Sequence, residues 1–330
     1  MDDGHRDRRG DQPRLARRAI TLTMAACLLV SCSTVETPER AADSDRTAST
    51  APSPSGSAAD QTRPRAAERG PDDSAAGLPE VPSTDDPAAL ARQLDLAVAT
   101  LRDGDASADD VRRAGQFQQL AVRTLATESA AFRRQVTSRL PRVTARVTGP
   151  LVSAASQLHA LTEPEPKLPR WRILAPPPAE KLLRHYREAQ RRTSVHWTYL
   201  AAIHLVETRM GRIRGTSTAG ARGPMQFIPA TWEAYGAGGD INDPRDAVLA
   251  AGRLLKDHGA PRDMAGALWH YNPADEYVRA VSAYARTMQR SPSTYRGYWH
   301  WRVLYSHERG TYVLPVGYPR NPAVLLPEER

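Results

Sequence analysis

The sequence predicts a mainly α protein: two helical regions joined by a proline-rich linker and followed by a short C-terminal β-hairpin. Three observations predict it. Apolar residues recur at helical spacing through most of the chain between Leu90 and Met288. Helix starts, a capping residue followed by proline, stand at Asp86-Pro87 and Asp243-Pro244. Strict alternation is confined to Trp299, Trp301, Val303 and Tyr305, interleaved with His300, Arg302 and Leu304.

At the N-terminus, Arg14, Arg17 and Arg18 precede an apolar run of twelve residues, Ala19 to Val30. Crossing a bilayer takes roughly 20 apolar residues, so this run reads as the core of a signal peptide covering residues 1–31. The next residues, Leu29-Val30-Ser31-Cys32, resemble the bacterial lipobox, in which the cysteine becomes the lipidated first residue of the mature chain. Cys32 is therefore expected to anchor the protein to the outer face of a bacterial membrane. A free thiol after an ordinary signal peptide is the alternative, and Arg17-Arg18 leaves twin-arginine export open beside the general route. Cleavage would remove the only other cysteine, Cys27, so packing rather than a disulfide must hold the fold.

The chain has a formal charge of +8, and residues 1–31, with six Arg and four Asp, account for +2 of it. A basic exported protein suits an anionic cell wall. Nucleic acid is not expected, because the sequence has neither zinc-ligand spacing nor a basic base-reading helix.

Residues 32–85 are Ala, Ser, Thr, Pro, Asp and Arg with hardly a large apolar side chain, and are expected to be a disordered tether. A helical region of unassigned function follows over 86–163. Its first helix runs from Asp86 to Gly104 through Leu90, Leu94, Val98 and Leu101. Its second opens at Ser107, with Asp110 three residues on as in a capping box, and its pattern continues through Phe132, Val136 and Leu140 to Pro141. Further turns carry Val143, Val147, Leu151, Ala155 and Leu158. Cell-wall machinery proteins are its possible partners, and a stalk or packing role is the preferred reading. Pro164, Pro166, Pro169 and Pro176-Pro177-Pro178 mark a linker over 164–177.

Residues 178–290 form the second helical domain, and 291–330 the hairpin extension. Leu182, Leu183, Tyr186 and Ala189 make one helix face. The next helix, with Trp197, Leu200, Ala201, Ile203, Leu205 and Val206, is apolar on several faces and so is expected to be central. Gly211 stands where a left-handed cap would end it. Later helices are expected from Pro229, from Asp243-Pro244 to His258-Gly259, across Met264 to Tyr271, and along Tyr277, Val281, Tyr284 and Met288.

Glu207 lies at the end of the central helix among Leu205, Val206 and Met210, where desolvation would raise its pKa. A carboxyl that arrives protonated and later accepts a proton is what glycosidic cleavage requires. Beyond it come the glycine-rich stretch Ser217-Thr218-Ala219-Gly220-Ala221-Arg222-Gly223-Pro224-Met225-Gln226-Phe227 and the pair Tyr271-Asn272. With Val206-Glu207-Thr208, these segments resemble lytic transglycosylases of the lysozyme-like superfamily, most closely the membrane-bound lytic transglycosylase B family. The resemblance covers roughly residues 178 to 290.

The resemblance implies a lysozyme-like helical domain that cuts peptidoglycan glycan strands and needs neither metal nor cofactor. It implies Glu207 as the catalytic acid/base, Ser217 as a groove residue near the reacting sugar and Gln226 as the substrate-contacting glutamine. Tyr271 and Asn272 would flank the carboxyl, with Tyr277 a further aromatic position. The implied reaction closes a 1,6-anhydro ring without water, so the absence of a second motif-supported carboxylate fits it. A muramidase that uses water and a non-catalytic wall-binding lipoprotein are the rival readings.

Two departures stand out. Only ten residues separate Glu207 from Ser217, where family members carry a long insertion, so the groove is expected to be more open. Gly236 to Asn242 supplies only Asp240 toward the calcium loop some members have, and Asp243 and Asp246 read as helix caps. Six other positions stay open. His204 reads as a core histidine or a groove contact, and Arg209, Arg212 and Arg214 as a solvated rim or a grip on acidic peptides. Trp299 and Trp301 read as packing or sugar platforms.

Overall fold

The computed structural model describes residues 82–327. The signal peptide, Cys32 and all but the last residues of the tether fall outside them. Among the described residues no helix is long and apolar enough to cross a membrane.

Among the described residues the chain forms eleven helices: α1 (Pro87–Arg102), α2 (Ala108–Thr127), α3 (Ala130–Thr137), α4 (Arg142–Ala160), α5 (Ala179–Thr193), α6 (Trp197–Thr208), α7 (Pro229–Tyr235), α8 (Pro244–Asp257), α9 (Met264–Tyr271), α10 (Asp275–Arg290) and α11 (Thr294–Trp299). The starts follow the caps. Asp86 accepts from the amides of Ala88 and Ala89 at 2.8 and 3.0 Å, and Asp243 from those of Arg245 and Asp246 at 2.8 and 3.0 Å. Ser107 accepts from the Asp110 amide at 3.1 Å.

The expected second helix does not run on to Pro141. It stops at Thr127, and the Ser129 hydroxyl accepts from the Phe132 amide at 3.1 Å to start α3 afresh. A serine hydroxyl competes well for that amide, while the apolar spacing carries across the break and hides it.

The largest correction concerns the separateness of residues 86–163. Leu94 of α1, Leu125 of α2 and Leu151 of α4 belong to the same buried cluster as Leu200 and Leu205 of α6 and Val281 and Met288 of α10. The most extensive helix pairing lays α4 along α10. Polar bonds cross the same boundary: buried Gln119 donates to the Arg302 carbonyl at 2.8 Å and accepts from its amide at 2.7 Å. Periodicity shows that a helix has an apolar face but not what that face meets.

Five short strands accompany the helices among the described residues. Strands β1 (Arg172–Ile173) and β2 (Ile213–Arg214) pair antiparallel, with Arg172 opposite Arg214 and Ile173 opposite Ile213. Strands β3 (Val303–His307), β4 (Gly310–Leu314) and β5 (Val324–Leu325) form an antiparallel sheet in that order. The expected hairpin is thus a three-stranded sheet, and it begins later than the alternation implied. Trp299 ends α11 and Trp301 packs edge-on to Tyr298 and Tyr284, so the alternating stretch is half helix end.

The proline-rich linker is built into the fold. Ile173 shares a small second core with Val303, Tyr305, Leu314 and Tyr318, and Leu168 and Trp171 pack on it. Tyr318 donates to the Pro169 carbonyl at 2.6 Å and Tyr305 to that of Lys167 at 3.0 Å. Proline withholds amide donors but leaves its carbonyl, so a proline-rich strand can be fixed by tyrosine hydroxyls. Through β1–β2 this segment clamps the chain just after α6.

Candidate active site

Helix α6 is the spine of the site. Eleven of its twelve residues, Thr198 to Thr208, are buried, as its all-round apolar surface requires. It ends in three successive left-handed residues, Arg209 (φ 52°), Met210 (φ 60°) and Gly211 (φ 84°). Only the last was foreseen. Left-handed backbone at a non-glycine residue costs roughly 1–3 kcal/mol and persists where neighbours over-determine it.

Those neighbours are present. The Thr208 hydroxyl donates to the Pro224 carbonyl at 2.6 Å and accepts from the Gly211 amide at 3.1 Å. Met210 is fully buried with the Tyr186 hydroxyl 3.4 Å from its sulfur. That hydroxyl also lies 2.7 Å from His204 Nδ1. Burial pushes the His204 pKa down to about 3, so the imidazole is neutral and the core reading of His204 is the one the packing supports.

Glu207 is 7% exposed, and its Oε1 accepts a 2.7 Å bond from the Tyr277 hydroxyl. Burial raises its pKa from the ordinary 4.5 to about 8, opposed by the Tyr277 bond. The carboxyl is therefore a neutral acid at pH 7, held in one orientation.

Tyr277 is 1% exposed, so it serves the carboxyl rather than lining a groove. Its ring stacks nearly parallel to that of Tyr271, 5° between planes and 6.4 Å between centroids. Tyr271 donates to the Met225 carbonyl at 2.5 Å and packs edge-on to Phe227. An unbroken chain of contacts thus runs from Glu207 through Tyr277 and Tyr271 to Met225, next to Gln226. Replacing Tyr277 with phenylalanine removes the one bond that favours the ionised carboxylate. Tyr277→Phe is expected to move the Glu207 titration upward by about one pH unit or more, read by carboxyl-carbon NMR. An unchanged or lower midpoint would contradict this.

The loop from Ser217 to Ile228 is closed by its own bonds. Arg222 and Phe227 exchange backbone bonds of 2.9 Å in both directions. Gln226 adopts φ 49° and donates to the carbonyls of Gly223 at 2.9 Å and Gly215 at 3.5 Å. Ser217 is turned to structural use: its hydroxyl accepts from the Ala221 amide at 3.0 Å and no bond ties it to Glu207. Asn272 is the C-cap of α9, 8% exposed, and its Oδ1 has no donor among the described residues. Such a buried acceptor costs roughly 1–3 kcal/mol until a donor arrives.

Gly223 has φ 74°, and a Cβ there would lie 2.0 Å from the Ile241 carbonyl oxygen. Gly223→Ala is expected to lower stability by at least about 2 kcal/mol in urea unfolding, since strain and overlap add.

Of the arginines, Arg212 is 1% exposed and donates to the Trp299 carbonyl at 3.1 Å, so it is no solvated rim. Trp299 donates to the Pro177 carbonyl at 2.9 Å and Trp301 is 3% exposed, which makes both packing residues. No group of three or more His, Cys, Asp or Glu suited to a metal occurs among the described residues. Sequence reasoning missed Tyr186, Met210 and Thr208 as the residues that brace the end of α6. Tyr186 and Met210 belong to no motif, Thr208 stood in one without a role, and only the residues they meet reveal the bracing.

The fold and site define a mainly helical protein with one buried, protonated carboxyl beside a braced loop and paired tyrosines. No family model, curated protein or solved structure matches the chain.

Proposed function

We propose that this protein is a lytic transglycosylase with a lysozyme-like catalytic unit, cutting peptidoglycan between N-acetylmuramic acid and N-acetylglucosamine. The observation that carries the reading is Glu207: buried, raised to a pKa of about 8 by desolvation, and held by the Tyr277 hydroxyl. A hydrolase of two carboxylates needs a partner that can stay ionised beside the acid. A single acid/base suits a reaction in which the same group gives and then retrieves one proton.

The steps balance. The Glu207 carboxyl protonates the glycosidic oxygen, the bond from C1 to that oxygen breaks, and the N-acetyl carbonyl oxygen supports C1. The resulting carboxylate takes the proton of the C6 hydroxyl, O6 bonds to C1 and the N-acetyl oxygen leaves. Glu207 is then protonated again, and no water is consumed. The unpartnered Oδ1 of Asn272 suits a hydroxyl or amide donor of the substrate. Gln226 and Tyr271 stand at the adjoining loop as the residues expected to line the groove. Membrane attachment through Cys32, and contact of residues 86–163 with cell-wall machinery, belong to the same proposal.

The test is digestion of purified murein with mass analysis of the products. Muropeptides ending in 1,6-anhydro-N-acetylmuramic acid, lighter by one water than the reducing forms, are expected. Reducing ends alone would instead identify a muramidase, and intact murein would favour a wall-binding protein.

A further inference from the structure

A second polar site lies where the N-terminal helices meet the rest of the molecule. Helices α2, α4 and α10 and strands β3 and β4 line a half-open cavity of about 120 Å³. Two arginines line it, Arg123 and Arg209, together with His159, and no Asp or Glu does. Its floor is apolar and aromatic, with Leu158, Tyr284 and Trp301.

Arg209 sets the chemistry. Its Nη1 donates to the Leu205 carbonyl at 3.0 Å, and its side chain forms no ion pair among the described residues. A guanidinium has five donors, so most of the fork remains for a ligand. Burial depresses the Arg209 pKa, the sign of a charge without its counterion. Arg123, which also lines the pocket, is bonded to the Thr311 hydroxyl and adds a second positive charge.

We propose that this cavity binds a small carboxylate with an apolar body, its oxygens on Arg209 and its body against Leu158 and Trp301. Guanidinium matches a carboxylate in two-pronged geometry, and the apolar floor disfavours a bare hydrated anion. Because Arg209 opens the left-handed turn two residues after Glu207, an occupied cavity braces the turn on which that carboxyl is mounted. The site stands independently of the cleavage reading.

The experiment is calorimetric titration of the full-length protein with N-acetylalanine, N-acetylalaninamide and inorganic phosphate. Saturable binding of N-acetylalanine is expected, with the amide silent and phosphate weaker. Arg209→Gln is expected to lose about tenfold or more in affinity, and Arg123→Gln to weaken binding while keeping the wild-type circular dichroism spectrum. Glu207→Gln should bind as wild type does, which separates this site from the catalytic one. Equal binding of acid and amide, tighter binding of phosphate, no binding at all, or unchanged affinity in both folded arginine variants would each overturn the proposal.

Discussion

Replacing Glu207 with glutamine is expected to abolish glycan cleavage while stabilising the fold at neutral and alkaline pH. The two effects have one origin. A buried carboxyl with a pKa of about 8 against an ordinary 4.5 binds a proton in the folded chain where the unfolded chain has lost it. Below about pH 4.5 both states hold that proton and the group contributes no pH dependence. Between there and about pH 8 only the folded state holds it, so stability falls as pH rises, and the loss levels off above. By pH 8 it is on the order of 4 kcal/mol.

Glutamine keeps the shape and the oxygen that accepts from Tyr277, but it never ionises. Glu207→Gln should therefore show a flat contribution across that window and a higher urea midpoint than wild type at pH 8. Its cleavage rate should fall by roughly 10² to 10⁴ or more, the range associated with a lost general acid. A variant less stable than wild type at pH 8 would show that Glu207 is not desolvated as described. One that still digests murein would remove it from the chemistry.

The second large effect concerns residues 86–163. A chain starting at residue 164 is expected to show no cooperative unfolding transition, because α4 covers α10 and Leu94, Leu125 and Leu151 close the core that α6 also needs. A point variant makes the same case more gently. Leu151 is fully buried in α4, and Leu151→Ala should cost roughly 2–5 kcal/mol. Thermal unfolding followed by circular dichroism and by loss of murein digestion should then shift together. Two separated transitions, with digestion surviving to the wild-type temperature, would mean that the N-terminal helices are a separate module after all.

Much of the local structure was legible in the residues. Asp86, Ser107 and Asp243 announced their helices because a short side-chain acceptor satisfies amides that have no intrahelical partner, whatever surrounds the helix. Gly220 and Gly223, within the glycine-rich stretch, adopt the positive φ that glycine permits. The break at Ser129 was not legible, because apolar spacing continued across it.

The sequence by itself determined where the capped helices begin, that α6 must be buried, and that a carboxyl at its end would be desolvated, since these follow from side-chain chemistry and spacing along one chain. Only the tertiary structure decided that Tyr277 reaches Glu207 from 70 residues away. It alone turned Ser217 inward to its own loop, paired Arg172 and Ile173 of the linker with β2 and joined the two helical regions in one core. Those outcomes depend on which apolar faces meet and which hydroxyls find a carbonyl in space, and distance along the chain carries no record of either.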